Sequence, residues 1–325
     1  MAELRWHPLI QDWVMINSKR QGRPAMPKDW CPFCPGSGKV PEDYDVLKYD
    51  NDFPALSQTP PEPDDVATDF FKVKPAYGKC EVILYSPGHT TTIPELSDQH
   101  MNKLINLWAQ RYEEISSDPN IKYVFIFENR GKMVGTTMPH PHGQIYGYSV
   151  IPKKIQLELA SAQEYREEKG RCLFCDMLKA EREAGQRIVF ETEHFAVFLP
   201  FFTEYPYGVY LQAKRHVSHI SHLTEEEKTD LGIAIKHLVG MFDTLFHKEF
   251  PYMMCMHNAP VNVEDVDEAF HFHIEFFPPL RSAEQQKFNA SSETGVWAHC
   301  NPRCPEETAQ ELRDAYREHM STLEK

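Results

Sequence analysis

One ordered set of landmarks occurs twice along this chain, and that repetition constrains the fold more than any single motif does. The first set is Cys31-Pro32-Phe33-Cys34, then His89 with Leu96 and Ser97 behind it, then the apolar run from Lys122-Tyr123 to Glu128-Asn129, then His140-Pro141-His142-Gly143-Gln144. The second is Cys172-Leu173-Phe174-Cys175, His216 with Leu223 and Thr224, Pro251-Tyr252 to His257-Asn258, and His271-Phe272-His273-Ile274-Glu275. Cys31 and His89 are 58 residues apart and His89 and His140 are 51 apart, against 44 and 55 in the second set. Four landmarks repeated in one order imply a duplicated structural unit. At 325 residues the chain has room for two such copies. The expected fold class is α+β, each copy a strongly bent antiparallel sheet with helices packed on it. The copies, residues 1–165 and 166–325, are expected to pair into one pseudo-symmetric body.

Local patterns fill in the copies. Glu81 to Tyr85 and Lys122 to Glu128 read as strands, and Ser97 as the N-cap of a helix with Met101, Leu104, Ile105 and Trp108 on one face. The first segment, with Arg5, Trp6, Trp13, Arg20 and Arg23, reads as an ordinary strand and loop, and Glu306 to Leu323 as a closing amphipathic helix.

The chemistry concentrates at His140-Pro141-His142-Gly143-Gln144. Imidazoles at i and i+2 on extended backbone point to the same side, so one can be fixed while its neighbour reacts. Pro141 stiffens the pair, Gly143 is expected to let a phosphate approach the main chain, and Gln144 returns to the same face with an amide. A net charge of -14 argues against a nucleic-acid backbone as partner. No apolar leader or run of membrane-spanning length occurs, so a cytoplasmic chain without a membrane partner is expected. Four of the eight cysteines form the two C-x-x-C pairs, which in a large chain of this kind point to metal. Zinc in a closed site wants four nitrogen or sulfur ligands, and Cys31, Cys34, His89 and His140 supply them. By the repeat, Cys172, Cys175, His216 and His271 form a second zinc site. Cys300 and Cys304 fit no site.

The histidine motif resembles the active-site motif of the galactose-1-phosphate uridylyltransferase family, the nucleotidyl-transferring branch of the histidine-triad superfamily. The resemblance extends over nearly the whole chain through Asn51-Asp52-Phe53, Phe250-Pro251-Tyr252, His257-Asn258-Ala259-Pro260, Phe277 to Ser282 and Lys287-Phe288. It implies that His142 is the nucleophile, with Gln144 as a donor to the phosphoryl oxygens. UMP would pass from UDP-glucose to a hexose 1-phosphate, galactose by default, through a uridylyl-histidine. Arg20, Arg23, Asn129 and Thr137 are then candidates for the phosphate oxygens, and Asn51, Asp52 and Phe53 for the uridine nucleotide. Lys287, Phe288 and Glu293 would reach the hexose from a partner subunit, which implies a homodimer with shared active sites. Near the sugar the chain departs from the family, with Ser292, Trp297 and His299 at positions of the hexose loop. In well-known bacterial members the second metal is iron, and the matching positions are Glu158, His257, His273 and Glu275; this set competes with the second thiolate site. Plant sugar-nucleotide phosphorylases resemble the chain in carrying both knuckles, so an ADP-sugar phosphorylase is the alternative enzyme. A non-catalytic nucleotide-binding zinc scaffold is the alternative outside enzymes. Phe272 and Glu275 replace Pro141 and Gln144 in the second copy, which is therefore expected to be structural and sugar-binding.

Overall fold

The computed structural model describes residues 2–18, 30–136 and 138–324. Nine strands form one antiparallel sheet. Its order is β3 (Leu47–Asp50), β5 (Gly78–Leu84), β7 (His142–Tyr148), β6 (Tyr123–Arg130), β11 (Tyr252–His257), β12 (His273–Phe277), β10 (Tyr210–Ala213), β9 (Phe195–Phe198) and β8 (Ile188–Glu191). The first four belong to the first copy and the last five to the second. They join at the β6–β11 pair, where Glu128 faces Met254 and Ile126 faces Met256. The two sheets expected from the repeat are thus one continuous sheet, because pairing β6 with β11 removes two open edges at once.

That seam corrects the repeat by one residue. Side chains alternate between faces along a strand, so a slip of one changes the face. His257 pairs with His273 and stands on the same face, whereas Glu128 lies on the opposite face beside Tyr252. The residue of the first copy that matches His257 is therefore Asn129.

Helices α1 (Asp98–Ser116), α4 (Glu225–Leu245) and α6 (Pro305–Leu323) cover one face of the sheet. Ser97 caps α1 by accepting from the His100 amide at 3.1 Å, and Thr224 with Glu227 forms a reciprocal capping box on α4. Met101, Leu104, Ile105 and Trp108 fall on one stripe of α1 and are fully buried against Leu231, Ile235 and Phe242 of α4. The other face carries α2 (Lys153–Lys169), α3 (Leu173–Ala184) and a small sheet of β2 (Asp12–Asn17), β1 (Ala2–His7) and β4 (Val73–Pro75). This small sheet replaces the expected strand and loop; Trp6 and Trp13, cross-strand neighbours with rings 5.2 Å apart, hold its hairpin. A short helix α5 (Ser291–Val296) precedes α6.

Candidate active site and metal centres

The first knuckle is a run of turns, with Gly36 at φ 82° and Gly38 at φ 73°, a region open to glycine. It carries Cys31 and Cys34 under the end of β5, where His89 and His140 arrive. Cys34 Sγ is 3.4 Å from His89 Nδ1, and His140 Nδ1 is 3.7 Å from both sulfurs. Ligands of a tetrahedral zinc ion with ordinary bond lengths sit about 3.5–4 Å apart, so the set fits that ion. The hydrogen bond that orients the His140 ring is in place as well. His140 Nε2–H donates to the Ser86 carbonyl at 2.8 Å, which leaves the Nδ1 lone pair facing the thiols. Burial pushes His140 down to about 4, so the ring is neutral. The Cys34 thiol is pushed up to about 11 by burial and then by Cys31, so it resists ionising without a cation.

The second knuckle differs in form but not in chemistry. Cys172 is the N-cap of α3 and Cys175 lies in its first turn. Cys175 Sγ is 3.4 Å from His271 Nδ1 and 3.7 Å from His216 Nδ1, while Cys172 Sγ is 3.9 Å from His271 Nδ1. His271 Nε2 donates to the Ala213 carbonyl at 2.9 Å and His216 Nε2 to the Asp267 carbonyl at 2.9 Å. These distances fit the same ion.

The competing set assembles too. Donor atoms of Glu158, His257, His273 and Glu275 lie within 4.8 Å of one another. Strand β12 and the residues before it serve both clusters, with His271 in one and His273 and Glu275 in the other, so the two sets are not alternatives for one place. The third cluster already holds a cation: the Lys154 ammonium bonds Glu275 Oε2 and stands 3.8 Å from Glu158 Oε1. Burial alone would push Glu275 up, but His257, Lys154 and His273 hold it well below the carboxylate range.

His142 opens β7. Its Nδ1–H donates to the His140 carbonyl at 2.7 Å, which fixes the tautomer and places the lone pair on Nε2. His273 repeats the arrangement on the His271 carbonyl at 2.9 Å. Gln144 stands on the His142 face, and its Oε1 accepts from Tyr146 at 3.2 Å, so the amide NH2 is the end that meets a ligand. His142, Asn129, Thr136 and Arg130 line a cavity of about 400 Å³. Thr136 Oγ1 donates to the Asn129 carbonyl at 2.7 Å and fastens that loop.

Gly143 has a different role from the one expected. A Cβ there would point to the core side and meet Tyr85 Oη at 2.2 Å, so the glycine makes room for a tyrosine and not for a phosphate. Gly143→Ala is expected to cost about 1–3 kcal/mol through this overpacking. Thermal unfolding of G143A alone and with Tyr85→Phe checks it, since loss of the hydroxyl should recover part of the stability.

Other candidates lie apart from His142. The Asn51 side chain accepts from the Phe53 amide at 2.9 Å, and Tyr49 donates to Asp52. Asp52 and Phe53 line a separate hollow of about 330 Å³ with Asn17. Lys287 is buried in the second copy, 3.9 Å from Glu293 and with its ammonium 4.8 Å from the centre of the Tyr205 ring; Phe288 is exposed. Arg20, Arg23 and Thr137 lie outside the described residues. Sequence reasoning missed Tyr44, whose hydroxyl donates to the Phe33 carbonyl at 2.6 Å beside His140, because a single tyrosine in a loop carries no pattern.

Residues 2–152 and 158–321 match the family models described as the N-terminal and C-terminal domains of galactose-1-phosphate uridyl transferase. Galactose-1-phosphate uridylyltransferase of Thermotoga maritima is 42% identical over 97% of this chain and 98% of its own. The rat enzyme of that name is 33% identical over 95% of this chain and 86% of its own. A solved uridylyltransferase superposes with a TM-score of 0.89 at 30% identity, covering 97% and 99% of the two chains. An ADP-glucose phosphorylase from Arabidopsis thaliana shares the fold, with a TM-score of 0.75 at 24% identity over 97% and 99%. The chain belongs to the galactose-1-phosphate uridylyltransferase family.

Proposed function

We propose that the chain exchanges UMP between UDP-glucose and a hexose 1-phosphate, galactose 1-phosphate foremost, in two half-reactions on His142. The observation that carries this is the ring of His142, held through Nδ1–H by the carbonyl of His140, itself a member of a Cys2His2 group, so that the lone pair is on Nε2 and the ring shares its strand face with Gln144. In the first half-reaction Nε2 attacks the α-phosphorus, an N–P bond forms, and the P–O bond to the β-phosphate breaks to release glucose 1-phosphate. In the second, the phosphate oxygen of the acceptor attacks the same phosphorus and frees the imidazole. Gln144 and Asn129 donate to the phosphoryl oxygens as charge shifts onto them, joined in this reading by Arg20, Arg23 and Thr137. Asn51, Asp52 and Phe53 hold the uridine, and Lys287, Phe288 and Glu293 reach the sugar of a partner subunit in a homodimer. Residues 1–165 form the catalytic copy and 166–325 the structural one.

In the same reading zinc occupies both Cys2His2 sites. It would fix the knuckles and orient His140, taking no part in bond making. The Glu158 cluster, charge-balanced by Lys154, is assigned no iron. Elemental analysis should find two zinc per chain, and one zinc with one iron would overturn the assignment. For the reaction, protein incubated with UDP-glucose or ADP-glucose labelled in the α-phosphate should retain label from the uridine nucleotide. Label from ADP-glucose alone would move the assignment to a phosphorylase, and label from neither would remove the covalent intermediate. No helix among the described residues is long and apolar enough to cross a membrane.

A further inference from the structure

Behind His142, on the helix-covered face of the sheet, two buried polar atoms have no hydrogen-bond partner: Glu128 Oε2 and Tyr85 Oη. Both side chains line the cavity that holds His142, and Tyr85 Oη is the atom lying under Gly143. Glu128 Oε1 is engaged by the Tyr252 hydroxyl at 3.2 Å. A carboxylate with one oxygen buried and unpaired is costly, whereas a carboxylic acid can turn its proton toward a neighbouring hydroxyl. Tyr85 is near enough for the two groups to influence each other's ionisation.

We propose that Glu128 is a positioning residue that works as the neutral acid, its proton directed at Tyr85 Oη beneath Gly143. In this state the wall behind His142 carries no charge of its own; once the proton is lost, a phosphate-bearing substrate binds less well. The inference rests on the proposed phosphate chemistry of His142.

The surrounding charges leave that proton decisive. Arg130, the next residue on this face of β6, is committed to Asp243 of α4 through bonds of 2.7 and 2.8 Å. Lys132 and Glu249 offset each other at the cavity rim, and Glu95 lies near enough to feel Arg130. Tyr252 of β11 and Tyr85 behind β5 are uncharged, and His142 stands on the opposite face. Arg130 eases the ionised Glu128, but with Asp243 already matching that guanidinium ionisation of Glu128 adds a net negative charge to a site that receives phosphates. Burial first of all pushes the Glu128 carboxyl up to about 7, so the change falls in the neutral range.

The test measures KM for UDP-glucose from pH 6 to pH 8 in the intact enzyme. Expected is a rise of about five- to ten-fold across that range, the size of a like-charge repulsion at partly screened distance. Glu128→Gln, which keeps the shape and fixes the neutral form, should flatten the rise. Tyr85→Phe should move it to higher pH, since the ionised carboxylate loses a donor. A Glu128→Gln enzyme with an undiminished pH dependence, or a wild type whose KM does not rise, overturns the proposal. Infrared spectroscopy keeps it separate from the reaction assignment: a protonated-carboxyl band at pH 6, absent in Glu128→Gln, is expected whatever nucleotide the enzyme uses. Absence of that band in the wild type also overturns it.

Discussion

Replacing His142 by alanine is expected to abolish covalent labelling and to lower turnover by at least about 10³-fold, the scale on which enzymes lose rate when their nucleophile is removed. The cavity keeps Asn129 and Thr136 in its wall and Gln144 stays on the strand face that carried His142, so nucleotide binding should persist while the chemical step does not. The fold should survive, because His142 is only partly buried and the strand pairing of β7 is made by the backbone. His142→Gly sharpens the experiment, since it leaves space in which free imidazole can attack in place of the missing ring. Turnover by His142→Gly that returns with added imidazole or with a uridylyl-imidazolide would assign the loss to the nucleophile and not to a distorted site. An alanine variant with unchanged turnover and an unchanged unfolding temperature would remove His142 from the mechanism.

Much of this site was legible because its parts are spaced by strict local geometry. H-x-H on a strand fixes two imidazoles on one face, and C-x-x-C at a turn or helix start fixes two thiols. The two Cys2His2 groups therefore assembled as the repeat implied. What the sequence hid follows from features without a period. Whether two repeats build two sheets or one depends on an edge pairing, β6 with β11, that no local pattern encodes. The one-residue slip at Glu128 and His257 arose because apolar runs buried on both faces do not show which face a residue takes. The third cluster was read as a competitor of the second, since sequence alone could not tell that His271 joins the two thiols while His273 joins Glu158, His257 and Glu275. Tyr85 filling the space at Gly143 is a contact between residues 58 positions apart, and a glycine in sequence looks the same whether it admits a ligand or a neighbour.

The two Cys2His2 groups should respond differently to the same substitution, and that difference tests the proposed division of labour between the copies. Cys34→Ser and Cys175→Ser each exchange a thiol ligand for a weaker one, and on the proposed occupancy of two zinc per chain each is expected to leave one. In Cys34→Ser the first knuckle and His140 lose their common anchor. Because the His140 carbonyl sets the tautomer and direction of His142, kcat should fall by about 10²-fold, as when a supporting shell that holds reacting atoms in place is loosened. Cys175 sits in α3, which packs on α2 and on residues such as Phe270 of the second copy and supplies no residue to the lining of the His142 cavity. Its loss should remove several kcal/mol of metal-linked stability, lowering the unfolding temperature by about 10 °C, while kcat per folded molecule stays within a few-fold of the wild type. Equal losses of kcat in the two variants would mean that the second centre orients the nucleophile through the continuous sheet, and the description of the second copy as a scaffold would fail.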